Sequence, residues 1–256
     1  MKIAAKTDIG NQRSENQDNY RAGREQDDTV WALVCDGMGG ARGGKLASSV
    51  AAAHIEREFA GHLSAKMSSA QLRVFMHETI QSANALIFKA AQKDPSMMGM
   101  GTTLVCAVIQ NGFLHYAHVG DSRVYLYEAH VGAPHTLTLL TRDHSMVQEL
   151  VEQGSITEQE AFVHPHKNLI TRALGVGDTV DIDYNERRVA VGDLVLLCSD
   201  GLTNYVSNGE MVRIMDTVPF WQRADILVDR ALANGGQDNI TAVLVEIEAA
   251  QEQTVQ

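Results

Sequence analysis

The sequence predicts an α+β fold in which antiparallel strands carry helices grouped in pairs. Three observations predict it. Apolar, β-rich runs recur along the whole chain: DTVWALVC, TTLVCAVI, FLHYAHV, RVYLYEA, TLTLL, DLVLLC and NITAVLVEI. Asn111-Gly112 stands between two of them, a strong short-range hairpin signal that pairs its neighbours antiparallel. Helical stretches come two at a time, whereas a parallel sheet would alternate single strands with single helices.

In chain order, DTVWALVC is the first strand-like run and ends on Asp36. The next stretch, about 44–62, is rich in alanine and serine, with Leu46, Val50 and Ala53 on one side. A second helix follows Ser68 and Ser69, both suited to cap it, with Leu72, Phe75, Met76, Ala83, Leu86, Ile87 and Ala90 at helical spacing. The hairpin and two further strands come next. Residues 143–172 break the rhythm and read as a short helix and polar loop appended to the sheet, a flap. A last helical pair, roughly 208–215 and 220–233, precedes the final strand. No linker and no repeat interrupts the chain, so 1–248 read as one domain and 249–256 as a disordered tail.

Bulk properties narrow the function. The formal charge of -11 argues against nucleic-acid binding. No apolar run is long enough to cross a membrane, and MKIAAKTDIG does not read as a secretory signal. Cys35, Cys106 and Cys198 lie in apolar runs and read as free core thiols of a reducing cytoplasm.

The chemistry lies in the aspartates. Asp36 ends WALVC, Asp121 follows HYAHVG, Asp200 ends VLLCS, Asp238 precedes NITAVLVEI, and Asp18 lies in RSENQD. One strand-end Asp is an ordinary turn residue. Several placed alike can converge at one edge of a sheet, where their repulsion calls for divalent cations. Hard oxygen ligands select Mg²⁺ or Mn²⁺ over Zn²⁺, and a pair of ions ~4 Å apart can activate water and neutralise a phosphate.

The motifs TDIGNQRSENQD, VCDGMGG, GTTLVCAV, AHVGDSR, LTRDHS, CSDGL and GGQDNIT occur in order over nearly the whole chain. Together they resemble the metal-dependent protein phosphatases of the PP2C (PPM) type, in their short bacterial form. That resemblance implies a four-layer α/β/β/α sandwich of two antiparallel sheets flanked by helix pairs. It implies hydrolysis of phosphoserine and phosphothreonine in proteins by a metal-activated hydroxide, with no phosphoenzyme. It assigns Asp36 and the Gly37 carbonyl to the metals, Asp200 and Asp238 to the first ion, and Asp18 to the second, mostly through water. Asp121 with Asp200 corresponds to a third ion, and Arg13 to the phosphate-gripping arginine. It also implies an opposing Ser/Thr kinase, and the chain is expected to be a cytoplasmic monomer.

Three positions depart from the family pattern. Gln17 stands where many members have Glu, Met38 where eukaryotic members have His, and Ala41 where some bacterial members have His. The leaving-group acid is therefore open between His144 and a metal-bound water. Arg42 and Lys45 read as surface charges that could help to recruit phosphate.

Three other readings compete with this one. Residues 39–45, GGARGGK, match the spacing of a nucleotide-binding P-loop, but position 46 is Leu where Ser or Thr is needed. A catalytically weak or inactive relative that binds phosphoproteins draws only on Gln17. Zinc readings of His164 with His166, or of His115 with His118, lack a third well-spaced ligand.

Overall fold

The computed structural model describes residues 1–129 and 134–249, and the backbone alone at 41 and 42. The expected tail lies, beyond Ala249, outside the described residues. One sheet runs in the order β1 (Lys2–Asp8), β11 (Ile240–Glu246), β10 (Leu194–Cys198), β7 (Arg123–Glu128) and β8 (Thr136–Leu139), every pairing antiparallel. The other runs β2 (Asp18–Arg24), β3 (Val30–Met38), β5 (Leu104–Gln110), β6 (Phe113–Val119) and β9 (Asp183–Arg188), with the short β4 (Gly101–Thr102) against the end of β3. The Asn-Gly hairpin forms as expected. Asn111 and Gly112 both adopt positive φ (52° and 76°), and Gln110 pairs with Phe113 across the turn.

Alternation along the central strands builds the layers. In β3, Val30, Ala32 and Val34 face the other sheet and pack with Val105, Ala107, Leu126, Val195, Leu197 and Val243. The intervening Trp31, Leu33 and Cys35 face outward onto α1 (Gly40–His62) and α2 (Ser69–Lys93), through Ile55, Phe59, Leu72, Met76 and Ile80. Trp31 meets Phe59 edge to face at 5.8 Å. On the far side, Tyr125, Leu194, Leu196 and Leu244 cover α6 (Asn208–Thr217) and α7 (Phe220–Ala233) through Met211, Leu227 and Val228. This is the four-layer sandwich. Truncating a fully buried ring such as Phe59 to Ala would cost about 3–5 kcal/mol.

Several boundaries differ from expectation. The first helix starts at Gly40 rather than near residue 44, so the glycine-rich stretch is itself helix. Ser68 caps α2 through a reciprocal capping box with Gln71. The flap contains two short helices, α3 (Met146–Glu152) and α4 (Glu158–Val163), each capped by a hydroxyl, Ser145 and Thr157. Strands β1, β2, β4 and β9 were not anticipated, nor was the short helix α5 (Asp200–Thr203). All three cysteines are buried and free. Among the described residues no helix is long and apolar enough to cross a membrane.

Candidate active site

The strand-end aspartates do meet. Asp36 lies near the end of β3, Asp121 in the β6–β7 turn, Asp200 at the start of α5 and Asp238 just before β11. These four line one cavity of about 400 Å³ with Arg13, Gly37 and Gln17. Asp18 pairs across the β2–β3 ladder with Asp36 but lies behind the wall, not in it. Its Oδ2 accepts hydrogen bonds from the Ser199 hydroxyl (2.7 Å) and the Thr241 hydroxyl (2.6 Å), so β2 is tied to the ends of β10 and β11 in the opposite sheet.

The electrostatics of the cluster are unfavourable when it stands alone. Burial, then the neighbouring carboxylates, push Asp36 and Asp121 well above the usual carboxylate range. Burial pushes Asp18 up to about 7, against the pull of its two hydroxyl donors. Burial and Asp238 raise Asp200 to about 6, while Asn204, donating from Nδ2 to Oδ2 at 3.1 Å, draws it down. Among the described residues, Asp18 Oδ1 and Asp200 Oδ1 are buried with no hydrogen-bond partner. An all-oxygen donor set, mutual repulsion and two buried oxygens without partners are what a hard divalent cation satisfies. The residues present fit such ions.

Arg13 is the cation already at the site. Its Nε and Nη2 donate to the two oxygens of Asp238 at 2.8 and 2.6 Å, and three guanidinium N–H groups remain for another anion. Asn239, which the sequence reading missed, fixes this loop. It accepts from the Gln17 N–H at 2.8 Å and donates to the Ile9 and Glu15 carbonyls. Its only signal was a polar residue beside Asp238.

The glycines serve a close approach of backbone to backbone. A Cβ on Gly37 would lie 2.2 Å from the Gly44 carbonyl oxygen, and one on Gly44 would lie 2.4 Å from Gln17 Oε1. Strand β3 and the first turns of α1 therefore pack with nothing between them. The same geometry disposes of the P-loop reading: residues 39–45 are helix from Gly40 on, and Lys45 pairs with Glu15 at 2.6 Å. Gln17 donates from Nε2 to the Gly40 carbonyl at 3.2 Å, an amide tying the loop to α1.

His144 does not reach the cavity. It is 2% exposed, and its Nδ1 accepts the Gly120 N–H at 3.1 Å. The neutral ring then carries its proton on Nε2, 3.5 Å from Asp183. Burial and the neighbouring His118 hold its pKa down to about 4. It closes the base of the flap: its carbonyl accepts from the Thr171 N–H, and Ser145 bridges to Ile170. Among the described residues, His118, His144 and Asp183 form a group close enough to share an ion. The Arg172 guanidinium already stands beside this group, its Nη1 2.9 Å from Asp183 Oδ1 and 3.3 Å from His144 Nε2. His115 bonds the Tyr184 hydroxyl, and His164 and His166 lie on the flap, so no zinc reading gains support.

Comparison with known proteins agrees with this geometry. The family model for protein phosphatase 2C matches residues 10–244. A putative protein phosphatase 2C-type of Streptococcus pyogenes is 40% identical over 97% of this chain and 98% of its own. The serine/threonine phosphatase stp of Listeria monocytogenes is 38% identical over 98% of each. The solved catalytic domain of the serine threonine protein phosphatase PstP, in complex with 2 manganese ions, superposes with a TM-score of 0.83 at 31% identity, covering 97% of this chain and 98% of that one. This chain belongs to the protein phosphatase 2C family. It is a metal-dependent serine/threonine protein phosphatase.

Proposed function

We propose that the cavity between Arg13, Asp36, Asp121, Asp200 and Asp238 is where this phosphatase hydrolyses phosphoserine and phosphothreonine. The observation that carries the reading is the convergence of four aspartates and one arginine on a single cavity, where Asp200 Oδ1 is buried with no hydrogen-bond partner among the described residues. Asp36 and the Gly37 carbonyl would hold two Mn²⁺ or Mg²⁺ ions between them, Asp200 and Asp238 completing the first. Asp18, behind the wall, would act on the second, and Asp121 with Asp200 would hold a third. Such ions, when bound, lower the pKa of water and neutralise the phosphoryl group.

The chain's own residues do the rest. Arg13 grips the phosphoryl oxygens with the donors that Asp238 leaves over, orienting phosphorus for in-line attack. Gln17 offers an amide and no charge, which lowers the attraction for the second ion. No histidine is among the described residues lining the cavity, so the leaving oxygen takes its proton from water. Asn168 and Ile170 bring the flap to the rim, where it would sense the protein around the phosphoresidue. We further propose that 1–248 work as one domain, as a cytoplasmic monomer opposing a Ser/Thr kinase.

The test is to replace Asp36 and Asp200 singly with Asn. Each should lower kcat for a phosphothreonine peptide by at least about a hundredfold, roughly 2.7 kcal/mol of barrier, and bind Mn²⁺ more weakly. Wild-type rates in both variants would remove the assignment.

A further inference from the structure

We propose that Thr103 is a positioning residue that holds Asp36 and Asp121 at a fixed spacing, an inference resting on the reading of both as metal ligands. These carboxylates repel one another across the cavity, and Thr103 lines the cavity with them. Asp36 lies near the end of β3 and Asp121 in the β6–β7 turn.

Thr103 reaches both. Its Oγ1 accepts the Asp36 N–H at 3.0 Å, while its own N–H donates to the Asp36 carbonyl at 2.8 Å, so the Asp36 backbone is gripped from both sides. The Thr102 hydroxyl adds a second bond to that carbonyl at 2.9 Å. On the other side, Thr103 Oγ1 shares a 2.8 Å hydrogen bond with Ser122 Oγ, the residue next to Asp121. Both residues are nearly inaccessible, Thr103 at 3% and Ser122 at 0% exposure, so water does not compete. The turn sits close against this side chain: a Cβ on Gly120 would lie 2.7 Å from Thr103 Cγ2.

Oxygen chemistry makes the arrangement specific. A hydroxyl has one proton and two lone pairs. One lone pair takes the Asp36 amide, and what remains serves Ser122. Valine keeps the shape and loses both contacts, whereas serine keeps the hydroxyl.

The experiment is calorimetric Mn²⁺ binding to the full chain, comparing wild type with Thr103→Val, Thr103→Ser, Ser122→Ala and Asp121→Asn, each first melted to establish that it is folded. Asp121→Asn defines the ion that depends on Asp121. Thr103→Val should bind that ion about tenfold or more weakly, the loss expected for one buried hydrogen-bonding partner. Thr103→Ser should stay within about twofold of wild type, and Ser122→Ala should shift in the same direction as Thr103→Val. Wild-type Mn²⁺ affinity in Thr103→Val overturns the proposal, as does a Thr103→Ser as weak as Thr103→Val. If Thr103→Val does not fold, Ser122→Ala decides, and an unchanged affinity there overturns the proposal. If Asp121→Asn itself loses no ion, the ligand reading of Asp121 fails and the proposal falls with it. A loss in Asp121→Asn with none in Thr103→Val sinks the role of Thr103 alone.

Discussion

Arg13 and Asp238 form a two-pronged ion pair at the mouth of the cavity, Nε to Oδ1 at 2.8 Å and Nη2 to Oδ2 at 2.6 Å. One residue comes from the β1–β2 loop and the other from the approach to β11, so the pair joins a proposed phosphate grip to a proposed metal ligand.

Arg13→Ala removes the fork. The expected result is a KM for a phosphothreonine peptide raised about tenfold or more, with a smaller effect on kcat, because the lost phosphate contact serves ground and transition states alike. Arg13→Lys should recover little, since an ammonium cannot reproduce a bidentate fork. Steady-state kinetics at saturating Mn²⁺ check this, and an unchanged KM would count against the role.

Asp18 is a charge that the fold alone does not favour. Burial pushes its carboxyl up to about 7, and Oδ1 has no hydrogen-bond partner among the described residues. Asp18→Asn should therefore leave the melting temperature in EDTA unchanged or higher, while shrinking the rise produced by Mn²⁺. Melting curves with and without metal decide it. A large loss of stability in EDTA would show that Asp18 is held for packing and not for cations.

The aspartate cluster should contribute to stability with opposite pH dependence with and without metal. Asp18 and Asp200, at about 7 and about 6, lie above their unfolded values near ~4. Groups raised on folding contribute stability that is complete below ~4 and lost as pH climbs through about 6 and 7. Buried His54, His115, His118 and His144 are lowered instead, so their contribution grows with pH until about 6.5. The histidine effect is common to both conditions and cancels in the difference. The Mn²⁺-induced rise in Tm should therefore grow between about pH 5.5 and 8. A rise independent of pH over that window would contradict the account of the cluster.

Gly37→Ala tests the β3–α1 contact. The new methyl would lie 2.2 Å from the Gly44 carbonyl oxygen and 2.9 Å from that of Gln17, both backbone atoms that cannot swing aside. A cost of about 3 kcal/mol or more follows, a fall of roughly 6–12 °C in Tm for a chain of this size. Thermal melting measures it, and a wild-type Tm would mean the contact is loose.

What the sequence revealed and what it hid follow from burial. Strands β3, β5, β6, β7, β10 and β11 are nearly continuous apolar runs because both faces are covered. Strands β1, β2 and β9 lie at sheet edges, and none of their segments, KIAAKTD, DNYRAGR and DYNERR, forms an apolar run. The candidate site divides the same way. Asp36, Asp121, Asp200 and Asp238 were legible because a carboxylate beside an apolar strand stands out. Thr103, Ser199 and Thr241 were not, since buried hydroxyls in β-rich segments carry no local mark. His144 misled for the converse reason: its motif drew attention, but the fold buries it behind Gly120.

The most direct test of the central claim is phosphate release from a phosphothreonine peptide by wild type and Asp238→Asn, with Mn²⁺ and then with excess EDTA. The account predicts turnover in the wild type with Mn²⁺, none after chelation, and a rate at least about a hundredfold lower in the variant. Turnover that survives chelation, or an Asp238→Asn enzyme as fast as the wild type, would contradict it.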